Sequence, residues 1–268
     1  MNRKPNAERT TPSLQVTYIG HATVLIETDG VCLLTDPLLR GQIGPLRRQG
    51  TEPDLARCQS ADAVLISHMH WDHFDLPSLR LLDRTTQLIV PRGAAQVLHR
   101  QGFRHVEEMR AGEKTVAGPL EITVTHAKHR GSRFPFGPVA DCLGFIVRGR
   151  YEVYFAGDTD LFPEMATLSD ALDVALLPVW GWGPRLRGGH MNPRRAAQSL
   201  TLLRPRLAVP IHWGTFCPLG MEWLRPRFLT QPPHDFAYHA AHLAPEVKVR
   251  VVPPGGFLRL EGDLVDET

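Results

Sequence analysis

Cysteine, charge of one sign and long apolar runs are all scarce in this chain. The four cysteines, Cys32, Cys58, Cys142 and Cys217, stand far apart and form no Cys-x-x-Cys pair. An even count in a chain of this size, without a secretion signal, does not imply disulfides. Cys32 and Cys142 lie in apolar runs and read as core thiols, whereas Cys217 follows a candidate ligand loop and is placed to line a site. Lys and Arg number 30 against 28 Asp and Glu, a net charge of +2, so no global field draws the protein to nucleic acid or a membrane. No stretch approaches the ~20 apolar residues that span a bilayer. No apolar segment follows the basic start, so no signal peptide is expected and the cytoplasm is the default compartment.

The 268 residues, 43% of them hydrophobic, suffice for a sizeable core. Residues 1–13 are polar and contain two prolines, which predicts a disordered N-terminal tail. No linker follows, so residues 14–268 read as one domain.

The most informative stretch is His68-Met69-His70-Trp71-Asp72-His73, with four metal-capable side chains within six residues. It follows Ala63-Val64-Leu65-Ile66, an apolar run that reads as a buried strand. The cluster therefore sits on the loop leaving a strand's C-terminal end, where open α/β sheets place their chemistry. Imidazole nitrogens and a carboxylate oxygen are a ligand set that zinc prefers. Burying so many polar groups unpaired would cost several kcal/mol, which argues against a merely structural cluster.

Strands are expected at Leu14–Ile19, Thr23–Glu27 and Val31–Thr35, with Asp29-Gly30 as a hairpin turn. A Gly- and Arg-rich loop spans Leu38–Gly50. Further strands are expected at Gln87–Val90, Leu120–Thr125, Cys142–Val147, Glu152–Ala156, Val174–Pro178, Leu207–Ile211, Lys248–Val252 and Phe257–Leu260. Helices are expected near Leu76–Leu82, Ala94–Arg100 and Phe162–Leu168. Another starts at Asn192-Pro193, with Asn as N-cap and Pro at the first helical position, and runs to about Leu203. A Pro-rich stretch then leads into a helix near Asp235–Leu243. The hairpin ending in Asp36 resembles the one ending in Asp158, which hints at two similar β-rich halves facing each other.

More candidate ligands stand at strand ends: His126 and His129, Asp158, and His212. With the first cluster they exceed one tetrahedral zinc and fit two metals sharing a carboxylate. The ordered set His68-x-His70-x-Asp72-His73, a later His, Gly157-Asp158-Thr159 and Ile211-His212 resembles the metallo-β-lactamase fold superfamily. Ile19-Gly20-His21-Ala22-Thr23, Leu34-Thr35-Asp36-Pro37, Ala127-x-His129-x-x-x-Arg133, His190-Met191-Asn192-Pro193 and His212-Trp213-Gly214-Thr215-Phe216 look most like one branch of it. That branch holds N-acylphosphatidylethanolamine-hydrolysing phospholipase D and the ascorbate phosphate lactonases. The resemblance implies an α/β fold, a four-layer αββα sandwich.

It also implies that His68, His70 and His129 hold one divalent metal, that Asp72, His73 and His212 hold another, and that Asp158 bridges them. His129 is preferred to His126 because it occupies the matched motif position. Asp36 reads as a carboxylate that orients a ligand histidine, and His21 as a second supporting residue. Asp75 either braces the ligand loop or caps a helix. Zinc is the expected metal, with manganese or iron compatible with the same donors.

The expected reaction is ester hydrolysis by a metal-bridging hydroxide, of a phosphodiester first and a lactone or carboxylic ester second, with Asp72 orienting the nucleophile. Arg40, Arg47, Arg48, Arg130, Arg133, Arg185 and Arg187 cluster in the loops around the motifs and lean toward a small anionic substrate. Arg194-Arg195 open a helix against its dipole and add to that lean. Trp180 and Trp182 are candidates for a pocket wall. His190 is a candidate for binding substrate oxygen or protonating a leaving group. No apolar docking segment is evident, so a soluble substrate is favoured over a phospholipid. No nucleic acid partner is expected, and the oligomeric state is open. A mononuclear iron persulfide-type dioxygenase is a further alternative.

Overall fold

The strand pattern of this chain builds two sheets, each hydrophobic on the face it turns to the other. In the computed structural model, residues 13–131, 140–181, 183, 186, 188–224, 227–262 and 264–267 are described. One sheet has eight strands in the spatial order Leu264–Glu267, Phe257–Glu261, Leu14–Gly20, Thr23–Thr28, Val31–Thr35, Ala63–Leu65, Gln87–Pro91 and Val106–Met109. The other has seven, in the order Lys248–Val249, Leu207–Ile211, Val174–Pro178, Glu152–Phe155, Leu143–Arg148, Leu120–His126 and Lys114–Ala117. Helices cover the outer faces, giving the αββα sandwich expected from the sequence.

The period of two in the strands accounts for the layering. Val24, Ile26, Leu33, Leu65 and Ile89 join the main core between the sheets. Their neighbours Leu25, Leu34, Val64, Leu88 and Val90 turn the other way, into a second core under Cys58, Leu79, Leu98 and Phe103. A strand buried on both faces reads as an unbroken apolar run, and Ala63–Leu65 is one.

The two sheets are wired alike. In each, antiparallel strands lead into a run of parallel ones: Thr23–Thr28 to Val31–Thr35 to Ala63–Leu65 in one, Leu143–Arg148 to Glu152–Phe155 to Val174–Pro178 in the other. Asp36 and Asp158 leave corresponding strands. The paired hairpins noted in the sequence are therefore present as equivalent elements.

Three local expectations need correction. The Pro-rich stretch is not a lead-in but part of a long helix, Arg227–Leu243, with Pro232 and Pro233 inside it. Each proline removes a helical hydrogen bond. Phe228, Pro232, Pro233, Phe236 and Ala240 are buried, and the helix packs against Pro193–Leu203, which offsets that loss. The Leu38–Gly50 loop contains a hairpin, Gln42–Ile43 with Leu46–Arg48, which pairs with Phe216–Pro218 in a small third sheet. The segment near Phe162–Leu168 is a 3₁₀ turn, Pro163–Thr167. Among the described residues, no helix is long and apolar enough to cross a membrane.

Candidate metal centre

Seven candidate ligands and two supporting residues converge where both sheets end. Ser67 to His73 leave the strand Ala63–Leu65, and Asp36 leaves its neighbour Val31–Thr35. Asp158 and His212 leave strands of the opposite sheet, and His129 follows Leu120–His126. The turns are tight. His21, Asp36 and His212 all adopt left-handed backbone, with φ of 58°, 32° and 63°. Such conformations cost non-glycine residues about 1–3 kcal/mol and cluster where function fixes the side chain. Gly157, at φ +59°, has a steric reason: a Cβ there would lie 2.6 Å from Ser67 Cβ and 2.8 Å from the Leu143 carbonyl oxygen.

The imidazoles are aimed from behind. His129 Nδ1 lies 2.7 Å from the Gly189 carbonyl and His212 Nδ1 lies 2.9 Å from the Trp180 carbonyl. A carbonyl only accepts, so both rings carry the proton on Nδ1 and present a bare Nε2 inward. His73 donates Nδ1–H to Asp36 Oδ2 at 2.7 Å, and His68 Nδ1 meets Ser67 Oγ at 2.9 Å. The inward nitrogens crowd together: His68 Nε2 to His70 Nδ1 2.8 Å, His129 Nε2 to His70 Nδ1 3.3 Å, His212 Nε2 to His73 Nε2 3.4 Å.

Four overlapping groups of donors result among the described residues, two of which share no residue with each other and divide the candidate ligands. His68, His70 and His129 form one; Asp72, His73, His212 and also His21 form the other. Asp158 stands beside both, with Oδ1 3.1 Å from His212 Nε2, and Oδ2 3.2 Å from His73 Nε2 and 3.1 Å from His190 Nε2. It also groups with His129 and His190.

These residues fit divalent cations. Asp158 Oδ1 is buried with no hydrogen-bond partner among the described residues, and His212 Nε2, 3.1 Å away, is an acceptor too when its proton sits on Nδ1. A cation placed between these two atoms would satisfy both lone pairs at once. The electrostatics agree. Burial holds His68 and His212 well below the usual imidazole range and lowers His70 and His129 as well, so these rings are neutral. Burial also acts to lower His73, but the Asp158, Asp72 and Asp36 carboxylates outweigh it and hold that ring well above its ordinary value. Burial pushes the Asp158 and Asp72 carboxyls up, but the neighbouring imidazoles overcome it and both sit well below the carboxylate range. For Asp36 burial prevails and its carboxyl is raised. Lowered imidazoles packed against carboxylates held well below their ordinary range are a donor set suited to a divalent cation. The clusters provide one or two divalent-metal sites.

Other sequence candidates fall elsewhere. His126 is exposed, edge-on to Phe162. Cys217 is buried, donates a hydrogen bond to Glu222 and belongs to none of the donor groups. Asp75 both caps Leu76–Leu79 and pairs with Arg40 through two hydrogen bonds. Three of the arginines are engaged within the fold: Arg40 on Asp75, Arg48 on the Ile19, Leu38 and Arg40 carbonyls, Arg195 on Asp160. Trp180 is half-buried against the core with its Nε1–H donated to Gly183, and its part in the site runs through its carbonyl. Arg133, Trp182, Arg185 and Arg187 lie outside the described residues. The sequence reading missed Ser67, the Gly189 and Trp180 carbonyls, and Thr215, whose Oγ1 accepts the His21 N–H at 2.7 Å. Backbone carbonyls leave no sequence signal, whereas Ser67 adjoins the motif.

A beta-lactamase superfamily domain model matches residues 32–213. A metal-dependent hydrolase of Methanopyrus kandleri is 32% identical over 249 residues, covering 90% of this chain and 98% of that protein. One from Rubrobacter xylanophilus is 30% identical over 252 residues, covering 90% and 94%. The solved structure of a metallo hydrolase from Ignicoccus hospitalis matches with a TM-score of 0.72 at 28% identity, covering 93% of this chain and 99% of that one. The chain belongs to the beta-lactamase superfamily. Family and site together define its class as a metal-dependent hydrolase.

Proposed function

We propose that the protein is a dinuclear hydrolase that cleaves an ester of a small anionic substrate, most readily a phosphodiester, with residues 14–268 acting as one cytoplasmic domain. The observation that carries this reading is Asp158, within 3.2 Å of His73 and 3.1 Å of His212 and His190, between two groups of nitrogen donors. In this reading His68, His70 and His129 hold one ion, Asp72, His73 and His212 hold the other, and Asp158 serves both. When bound at these residues, divalent ions, zinc by donor preference, would supply Lewis acidity that activates water at neutral pH.

The chain's own residues do the rest. Asp72, held at Oδ2 by His21 at 2.9 Å, orients the attacking water. His190 holds a proton at Nε2, beside Asp158, and delivers it to the leaving oxygen or binds a substrate oxygen there. The Trp180 carbonyl keeps His212 facing inward. Since Arg40, Arg48 and Arg195 are engaged internally, anion recognition falls to His190 and to the remaining arginines of these loops, Arg133 foremost. The motifs shared with the phospholipase D and ascorbate phosphate lactonase branch support ester chemistry, with a lactone as the second substrate class.

Elemental analysis of protein purified without added metal, followed by a panel of phosphodiesters and lactones, tests the reading. Near two zinc or manganese per chain with phosphodiester turnover is the expected result. Near one iron, with no second metal taken up on titration, overturns it.

A further inference from the structure

We propose that Ser67 is a positioning residue that fixes the tautomer of His68 and ties its orientation to that of His73 through Asp36. The inference rests on the metal-centre reading above. It starts from a chain of hydrogen bonds closed to solvent. The Ser67 N–H donates to Asp36 Oδ1 at 2.7 Å and the Ser67 hydroxyl donates to Asp36 Oδ2 at 2.5 Å. With its proton so committed, Ser67 Oγ has only lone pairs left for His68 Nδ1 at 2.9 Å. His68 must then carry its proton on Nδ1 and present Nε2 to His70. His73 Nδ1–H reaches the same Asp36 oxygen at 2.7 Å. One carboxylate thus holds a histidine from each donor group, directly in one case and through a hydroxyl in the other. Ser67, His68, His73 and Asp36 are all fully buried, so no water can replace the missing partner if the hydroxyl is lost.

The backbone of Ser67 is fixed as firmly as its side chain. Its carbonyl accepts the Leu143 N–H at 2.9 Å, a bond from the other sheet. Gly157 leaves no room for a larger neighbour on that side, since a Cβ there would meet Ser67 Cβ at 2.6 Å. The hydroxyl is therefore presented from a rigid point at the seam between the sheets. Without it, His68 Nδ1 faces no acceptor and the ring gains access to the other tautomer, in which Nε2 bears the proton and cannot bind a cation.

The test uses Ser67→Ala, with Ser67→Cys as a variant of the same shape, slightly larger, that offers a poorer acceptor. In the metal-free proteins, ¹⁵N ring shifts read the tautomer directly. Wild type is expected to show His68 protonated at Nδ1, and both variants a mixture. Zinc titration is expected to show two sites in wild type. In the variants the His68 group is expected to bind about 10–100-fold more weakly, with the His73 group less affected. A wild-type chain that takes up no zinc refutes the metal-centre reading but leaves the tautomer result to judge Ser67. An unchanged His68 tautomer, or two unchanged zinc affinities in a folded Ser67→Ala or Ser67→Cys protein, overturns the proposal while the metal centre stands.

Discussion

His21 and Asp72 meet side chain to side chain: the His21 Nε2 stands 2.9 Å from Asp72 Oδ2, although 51 residues separate them. The same histidine accepts the His212 backbone N–H on its carbonyl at 2.7 Å and faces the His212 ring at 3.9 Å. It therefore supports two members of the second donor group at once. Replacing His21 with Asn keeps a residue that tolerates its left-handed backbone while removing the ring. His21→Asn is expected to lower affinity at the Asp72–His73–His212 group and kcat/KM by about 10–100-fold. Metal titration and steady-state kinetics check this; full metal content with unchanged kcat/KM would show the contact to be ornamental.

Loading the second donor group should release a proton. His73 in the metal-free protein is held well above its ordinary range by Asp158, Asp72 and Asp36 against the pull of burial. At neutral pH its Nε2 bears a proton, and a cation must displace it. Affinity at this group is expected to rise about tenfold per pH unit up to the folded His73 value and then level off. The stability linkage has the matching sign. A raised value stabilises the metal-free fold below the unfolded imidazole range, and that contribution disappears as pH rises through the folded value. His68 and His212, lowered by burial, act oppositely and cost stability as pH falls below about 6.5. Calorimetry in buffers of different ionisation enthalpy counts the protons; zero release at pH 7 would refute the assignment of charge to His73.

Gly157 is predicted to be irreplaceable. Its φ of +59° is unfavourable for a side chain, and an added Cβ would press on Ser67 and the Leu143 carbonyl. The carbonyl belongs to the backbone of a central strand and cannot give way. Gly157→Ala is expected to destabilise the fold by at least about 1–3 kcal/mol and to displace Asp158, so that metal content and thermal stability fall together. Retention of both would mean that the turn relaxes more freely than its surroundings suggest.

The ligand motifs were legible because metal chemistry demands particular side chains at strand ends, and strand ends are marked by apolar runs such as Ala63–Ile66. The sandwich was legible in part through its repeated hairpins. Other features were hidden for physical reasons. Pro232 and Pro233 argue locally against helix, and only burial against Pro193–Leu203 overrides them. Arg40 and Arg48 look like anion binders in sequence, because their acceptors, Asp75 and three backbone carbonyls, come near only in the fold. The carbonyls of Gly189 and Trp180 aim two histidines, yet every residue has a carbonyl.

His190 offers the sharpest kinetic prediction. Its Nε2 lies 3.1 Å from Asp158 Oδ2, and its ring stands 4.6 Å from that of His129, so it borders the first donor group while remaining partly open to solvent. A proton donor here matters in proportion to the basicity of the leaving oxygen. An alkoxide leaving group needs the proton; a nitrophenolate does not. His190→Ala is therefore expected to lower kcat by about 100-fold or more for an alkyl phosphodiester and far less for a nitrophenyl one, with metal content intact. If His190 only binds substrate, both substrates lose alike, and the loss appears in KM rather than kcat. Unchanged turnover of both substrates at full metal content would remove His190 from the mechanism.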